Sequence, residues 1–280
     1  MTWTTPKVIA VVAAASFLSA VGTALLMRQH GTVPSGPMAQ AMATPPQRGL
    51  TLRQFPAPDP QALEDLESKV KDRQNTIETV NEITINLKPY VNCKLTDPLA
   101  DEAAEDQHNL AELPVGHHTY GGVPFQVDGL IQIIGGSIKN GVKLWPMEVP
   151  EIAVGHSCKK LHLLHGAFNI AGPAGHPHYA KLVLHYADGS QAELTFIGGT
   201  HALRCVDAAI PQRFELLETP QSELAWIGSN PYLKKNNPTA MLHLYRTTFD
   251  NPQPEVAITT IDYVSNMGNP GPFLAGLTID

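Results

Sequence analysis

The chain carries 12 histidines, several of them in close pairs. His176 and His178 flank Pro177 in the stretch AGPAGHPHYA, where two imidazoles can turn toward one ion. His162 and His165 sit in the apolar run KKLHLLHGAF, and in a strand their odd spacing sends them to opposite faces. His117 and His118 are adjacent and diverge in extended backbone. A transition-metal site needs three or four convergent nitrogen, sulfur or carboxylate ligands. No pair meets that requirement, so neither a metal site nor a cofactor is assigned. Cys93, Cys158 and Cys205 lie far apart, without the paired spacing of a zinc or redox motif. Outside the cytoplasm one disulfide is permitted, with Cys158–Cys205 the pairing considered and geometry left to decide it.

Nucleophilic catalysis finds no support either. There is no Gly-x-Ser-x-Gly elbow, no cysteine motif and no Gly-rich phosphate loop. A glycosidase needs two carboxylates facing each other across a cleft. Asp188, Glu193, Asp250 and Asp262 are the candidates. Asp188 belongs to a turn, Glu193 to a polar strand face, and Asp250-Asn251-Pro252 to a turn after a strand. No catalytic residue is therefore assigned. Trp145 and Trp226 read first as core residues and second as platforms for a flat ligand. The net charge of −7 and pI near 5.9 leave no basic face, which argues against nucleic acid as a partner.

The elements that must hold these residues are organised around one hairpin, YAKLVLHYADGSQAELTF, residues 179–196. Leu182, Leu184 and Tyr186 alternate with Lys181, Val183 and His185, and Ala192, Leu194 and Phe196 alternate beyond the turn. A two-residue Asp188-Gly189 loop would set Leu184 against Glu193. A three-residue loop over 187–189 sets Leu184 against Ala192 and Leu182 against Leu194, with Gly189 left-handed at the end of a type I turn. Pattern and turn chemistry agree on the second register, with His185 on the outward face.

Upstream, residues 8–27 form an uncharged apolar run between Lys7 and Arg28, long enough to span a hydrocarbon core as an uncleaved anchor. A cleaved signal peptide is the competing reading. Either way, the folded body is expected outside the cytoplasm, in the periplasm or at the cell surface, and secreted if the segment is cleaved. Residues 30–60 carry many prolines and read as a spacer with no fold of their own. Residues 61–82 read as an amphipathic helix, with Leu63, Leu66, Val70, Ile77 and Val80 on one seam interrupted by Arg73. It either lies on the domain or joins protomers. From Ile83 the period shifts to two. Gly121-Gly122 opens a strand pair in VPFQVDGLIQIIG, and several more short apolar runs follow between Gly, Pro and Asn punctuation. Residues 83–280 are thus expected to form one all-β sandwich.

Several phrases together resemble a bacterial family of jelly-roll modules with the galactose-binding-like fold. The phrases are NLAELPVGHHTYGGVPFQVDGLIQI, KKLHLLHGAF, LVLHYADGSQAEL, LAWIGSN and LHLYRTTFDNPQPEVAITTIDYVS followed by PFLAGLTID. The family occurs alone or appended to secreted and cell-surface proteins, glycoside hydrolases among them. The resemblance implies a module that binds or scaffolds, with carbohydrate as the ligand class and no catalytic set to carry over. The sequence departs from the family after the hairpin: where an Arg-x-x-Trp-Trp-like phrase is usual, Arg204 and Asp207 are followed by Ala208 and Ala209. Trp226, Asn230, Tyr232 and Arg204 are the expected ligand-binding residues, being planar or hydrogen-bonding groups near strand ends. Function is therefore expected to be non-catalytic binding at the cell envelope, of glycan or an envelope protein. Assembly through the 61–82 helix and polysaccharide hydrolysis are the alternatives.

Overall fold

The computed structural model describes residues 53–55, 64–65, 68–72, 81–99, 109–136, 145–168, 170, 178–203, 205–207, 214–216, 219–238 and 240–280. The 8–27 run, the first part of the spacer, the acidic loop at 101–106, His176 and Arg204 lie outside them. No helix of the described residues is long and apolar enough to cross a membrane.

In chain order the strands are β1 (Arg53–Phe55), β2 (Ile83–Thr84), β3 (Gly116–Tyr120), β4 (Val123–Val127), β5 (Ile131–Gln132), β6 (Glu148–His156), β7 (Lys160–Phe168), β8 (His178–Tyr186), β9 (Gln191–Ile197), β10 (Val206–Asp207), β11 (Phe214–Leu216), β12 (Ser222–Gly228), β13 (Met241–Asp250), β14 (Ile258–Ser265) and β15 (Gly271–Ile279). A short helix, α1 (Pro231–Asn236), joins β12 to β13. All the strand ladders are antiparallel. The central sheet has seven strands, with β13, β7 and β15 at its middle, β12 outside β13, and β5 and β2 outside β15. A second sheet runs β6-β14-β8-β9. The fold is an all-β antiparallel sandwich, as the alternation and turn spacing require.

The two sheets enclose an inner core. Leu161, Leu163 and Ala167 of β7 join Leu182, Leu184 and Tyr186 of β8, Phe196 of β9 and Ile258 and Ile261 of β14. The opposite face of the central sheet carries a separate outer core. There Leu164, Phe168, Leu242, Leu244 and Phe273 pack against Val123, Phe125 and Val127 of β4 and Leu233 of α1. Each fully buried Leu, Val or Phe contributes about 1.5–3 kcal/mol, so the central sheet is stabilised from both sides. That explains why β7 and β15 are buried almost end to end, while β8 alternates.

The organising hairpin takes the register that its pattern demands: Leu182 faces Leu194 and Leu184 faces Ala192. Gly189 has φ +85°, and its N–H donates to the Tyr186 carbonyl at 3.0 Å. Asp188 Oδ1 accepts from the Ser190 N–H at 2.9 Å, pinning the turn.

Four sequence expectations need correction. Arg53–Phe55 pairs with Phe214–Leu216, so the spacer supplies a strand near its end. Gly121-Gly122 is itself the turn of the β3–β4 hairpin, with φ +58° and +79°, as a two-residue I′ turn requires. The pair is therefore GHHTY with VPFQV, not two runs on either side of Asp128-Gly129. Strand β6 was not expected at all. Finally, the disulfide left to geometry does not form between Cys158 and Cys205: Cys158 lies in the inner core, and Cys93 and Cys205 lie in the outer core.

Of the stretch expected to be helical over 61–82, residues 64–65, 68–72 and 81–82 are described; the first two groups are helical, and 81–82 are not. Val70 is buried and its described neighbours are exposed, so this turn lays its apolar side on the domain.

Candidate functional site

A cleft of about 520 Å³ opens beside the β3–β4 hairpin, lined by His117, His118, Thr119, Tyr120, Trp226 and Ile227, with Pro114, Pro124, Val70 and Lys71. Its walls follow from three local features. First, the hairpin lies close on the central sheet. A Cβ on Gly276 would sit 2.9 Å from the Phe125 ring, so glycine there lets β4 settle on β15. Second, the Gly121 turn rests on an ion pair between Arg246 Nη2 and Glu223 Oε1 at 2.9 Å, where a Cβ on Gly121 would meet Glu223 at 2.5 Å.

The third feature is a β-bulge in β12. Leu224 pairs with Tyr245, but Trp226 pairs with Leu244, so Ala225 is the extra residue. Without the bulge, Trp226 would share the inner-core side of Ser222 and Leu224. With it, the indole turns to the outer core and the cleft. Bulges re-aim side chains in this way, often beside functional sites. The indole lies across Gly228, where an added Cβ would be 2.2 Å from the six-membered ring. Trp226 is only 6% exposed, so only a small part of the indole reaches the cleft.

His117 and His118 are exposed, and the Nε2–H of His118 donates to the Val115 carbonyl at 2.9 Å. The His118 and Tyr120 rings stand 6.2 Å apart. Tyr120 is buried, and its phenol oxygen has no hydrogen-bond partner among the described residues. Desolvation pushes its pKa well above the usual phenol value, which keeps it a neutral donor.

The four sequence-derived ligand residues fare differently. Trp226 lines the cleft. Asn230 is fully buried as the N-cap of α1: its Oδ1 accepts from the Leu233 N–H at 2.8 Å, and its Nδ2 donates to the Asn109 carbonyl. Tyr232, on the same helix, is half-buried against the outer core. Arg204 lies outside the described residues. The cleft's polar residues Thr119 and Tyr120 were not singled out from sequence, although a polar GHHTY run between Pro114 and a double glycine marks an unusual strand.

The inner core holds a second polar cluster. His165 Nε2 lies 2.7 Å from Thr247 Oγ1, which is 2.9 Å from Ser222 Oγ. Ser222 Oγ donates to the His201 carbonyl at 2.6 Å. His201 Nδ1 accepts from the Ile197 N–H, so its proton sits on Nε2, facing Gln221 Oε1 at 3.3 Å. Hydroxyl and imidazole are here the parts of a hydrolase, but all four residues are at most 3% exposed, so no substrate reaches them in this fold. Burial lowers His165 to about 3 and His201 to about 4. This cluster ties the two sheets together.

His162 and His165 do lie on opposite faces; His162 Nδ1 meets Thr248 Oγ1 at 2.9 Å, and burial lowers its pKa. On the open face of the second sheet, His185 Nε2 lies 2.7 Å from Asp262 Oδ2, and its Nδ1 accepts from Gln191 at 3.0 Å. Both ring nitrogens are thus engaged. Glu193 pairs with Lys181, so two of the carboxylates considered for glycoside chemistry have strand partners. Among the described residues no group of three or more His, Cys, Asp or Glu could hold a metal ion. No family model matches the chain, and neither does any curated protein or solved structure.

Proposed function

We propose that this chain is a membrane-tethered, extracytoplasmic binding module of the galactose-binding-like jelly-roll kind, which takes a glycan in the cleft beside the β3–β4 hairpin without chemical turnover. The supporting observation is the bulge at Ala225, which turns Trp226 out of the inner core and into a cleft rimmed by exposed imidazoles. An aromatic wall with hydrogen-bonding groups around it is the combination that takes a sugar. The helical turn at 68–72 lies on the domain through Val70, and the 8–27 run is the tether.

A glycan array probed with residues 48–280 tests the binding. Retained glycans that are lost by His117→Ala, with the unfolding midpoint unchanged, support the reading. An array with no retained glycan sinks it. The tether has its own assay: after an alkaline carbonate wash, the full chain should stay with the membrane, its N-terminal peptide intact.

A further inference from the structure

The chemistry of the cleft wall narrows the kind of glycan. Tyr120 brings a buried phenol without a partner. Tyr179 also has an unpartnered hydroxyl, but it lies in the closed inner core, whereas Tyr120 lines the cleft. A buried hydroxyl left unpaired costs its desolvation, so a ligand acceptor placed against it gains more than one at an exposed hydroxyl. The His118 ring stands 6.2 Å from the Tyr120 ring, and His117 lines the same cleft; each imidazole can offer an N–H. Among the described residues, the lining contains no carboxylate. In an acidic chain this is a locally donor-rich surface, complementary to an acceptor-rich anion.

We propose that the cleft binds a carboxylate-bearing glycan, a uronate, with the Tyr120 hydroxyl donating to the carboxylate and His118, which lies on the same face of β3, on its flank. This rests on the glycan reading above and adds the charge of the ligand.

The test uses the full-length chain in detergent, with trigalacturonate and galactotriose as matched acidic and neutral probes in titration calorimetry. Trigalacturonate is expected to bind about tenfold or more tightly than galactotriose, the ratio a charged hydrogen bond supplies. Tyr120→Phe should abolish that preference, leaving galactotriose affinity alone and the urea midpoint equal or higher. His118→Gln, at an exposed position, should lower trigalacturonate affinity severalfold with the urea midpoint unchanged. Equal affinity for the two sugars would leave the glycan reading standing and overturn the uronate proposal. So would Tyr120→Phe that keeps the preference, or that lowers the midpoint at unchanged affinity, since the phenol would then serve the fold. Binding of neither sugar would overturn both.

Discussion

Strands β7 and β8 are each nine residues long and each carries histidines, yet they occupy different environments. β8 has one face on the inner core and one toward water. Its residues alternate accordingly, and His185 meets Asp262 and Gln191 at the surface. β7 is sealed between two cores, so His162 and His165 must both find partners in the interior. The same residue type is a surface polar group in one strand and a buried neutral crosslink in the other. Burial on the second face makes the difference.

Acid should break this comparison most severely. His165 and His201 are held below their ordinary value by desolvation, and His165 also by His201, whereas the Gln221 bond partly offsets the effect at His201. The folded pKa values are depressed, so the stability they allow is fully present above about pH 6.5. It is lost as pH falls toward about 4 and then about 3. Full protonation would cost on the order of 3–5 kcal/mol for each. Urea midpoints measured from pH 7 to pH 4 should fall steeply, and His201→Gln should flatten the fall. A flat profile in the unmodified chain would mean that these imidazoles are not buried as described.

Truncation in either core comes next. Leu184→Ala on β8 and Leu164→Ala on the outer face of β7 should each cost about 2–5 kcal/mol, read as urea unfolding free energies. If Leu164→Ala were nearly neutral, the outer core would not be a core, and the central sheet would have one open face.

Glycine separates packing from backbone conformation. A Cβ at Gly166 in β7 would stand 2.5 Å from the Phe273 ring, so Gly166→Ala should cost about 1–3 kcal/mol through overpacking. At Gly189 nothing lies within 4 Å, and Gly189→Ala should cost only the left-handed penalty of about 1–2 kcal/mol. Gly189→Asn, which tolerates that conformation better, should recover part of the loss. Gly166→Asn should not.

The smallest effect belongs to His185→Ala. Its side chain and that of Asp262 are 28% and 21% exposed, so water screens the pair and about 1 kcal/mol or less is expected. Asp262→Asn measured alone and together with His185→Ala gives the coupling directly. A coupling as large as the Leu184→Ala loss would place the second sheet's outer face under cover.

What could be read from sequence tracks the same contrast. The 179–196 hairpin was legible to the residue, because one wet face imposes period two and Gly189 marks the turn. β6 was not. Its pairing breaks opposite Asp262, where Glu151 takes φ +57° and its N–H is held by Asp262 Oδ1, and Pro150 disguises the run further. β3 has polar residues at most positions and is defined by its partner across two glycines. Asn230-Pro231 carried a readable helix start, N-cap followed by proline, and was taken for a ligand group instead. Trp226 lines the cleft, but its direction depends on one extra residue in a ladder, which no periodicity within SELAWIG reveals.

The three thiols, none of them in a disulfide, make the molecule its own reporter of how it comes apart. Cys158 sits in the inner core, with its pKa pushed up to about 11 by burial, while Cys93 and Cys205 sit in the outer core. A thiol reagent attacks thiolate and needs access, so all three are silent in the native fold. Pulse-labelling under mild denaturant, followed by peptide mass spectrometry, then dates the opening of each layer separately. Label arriving at Cys93 and Cys205 before Cys158 would mean that the layer carrying the cleft peels away while the two-sheet sandwich still stands.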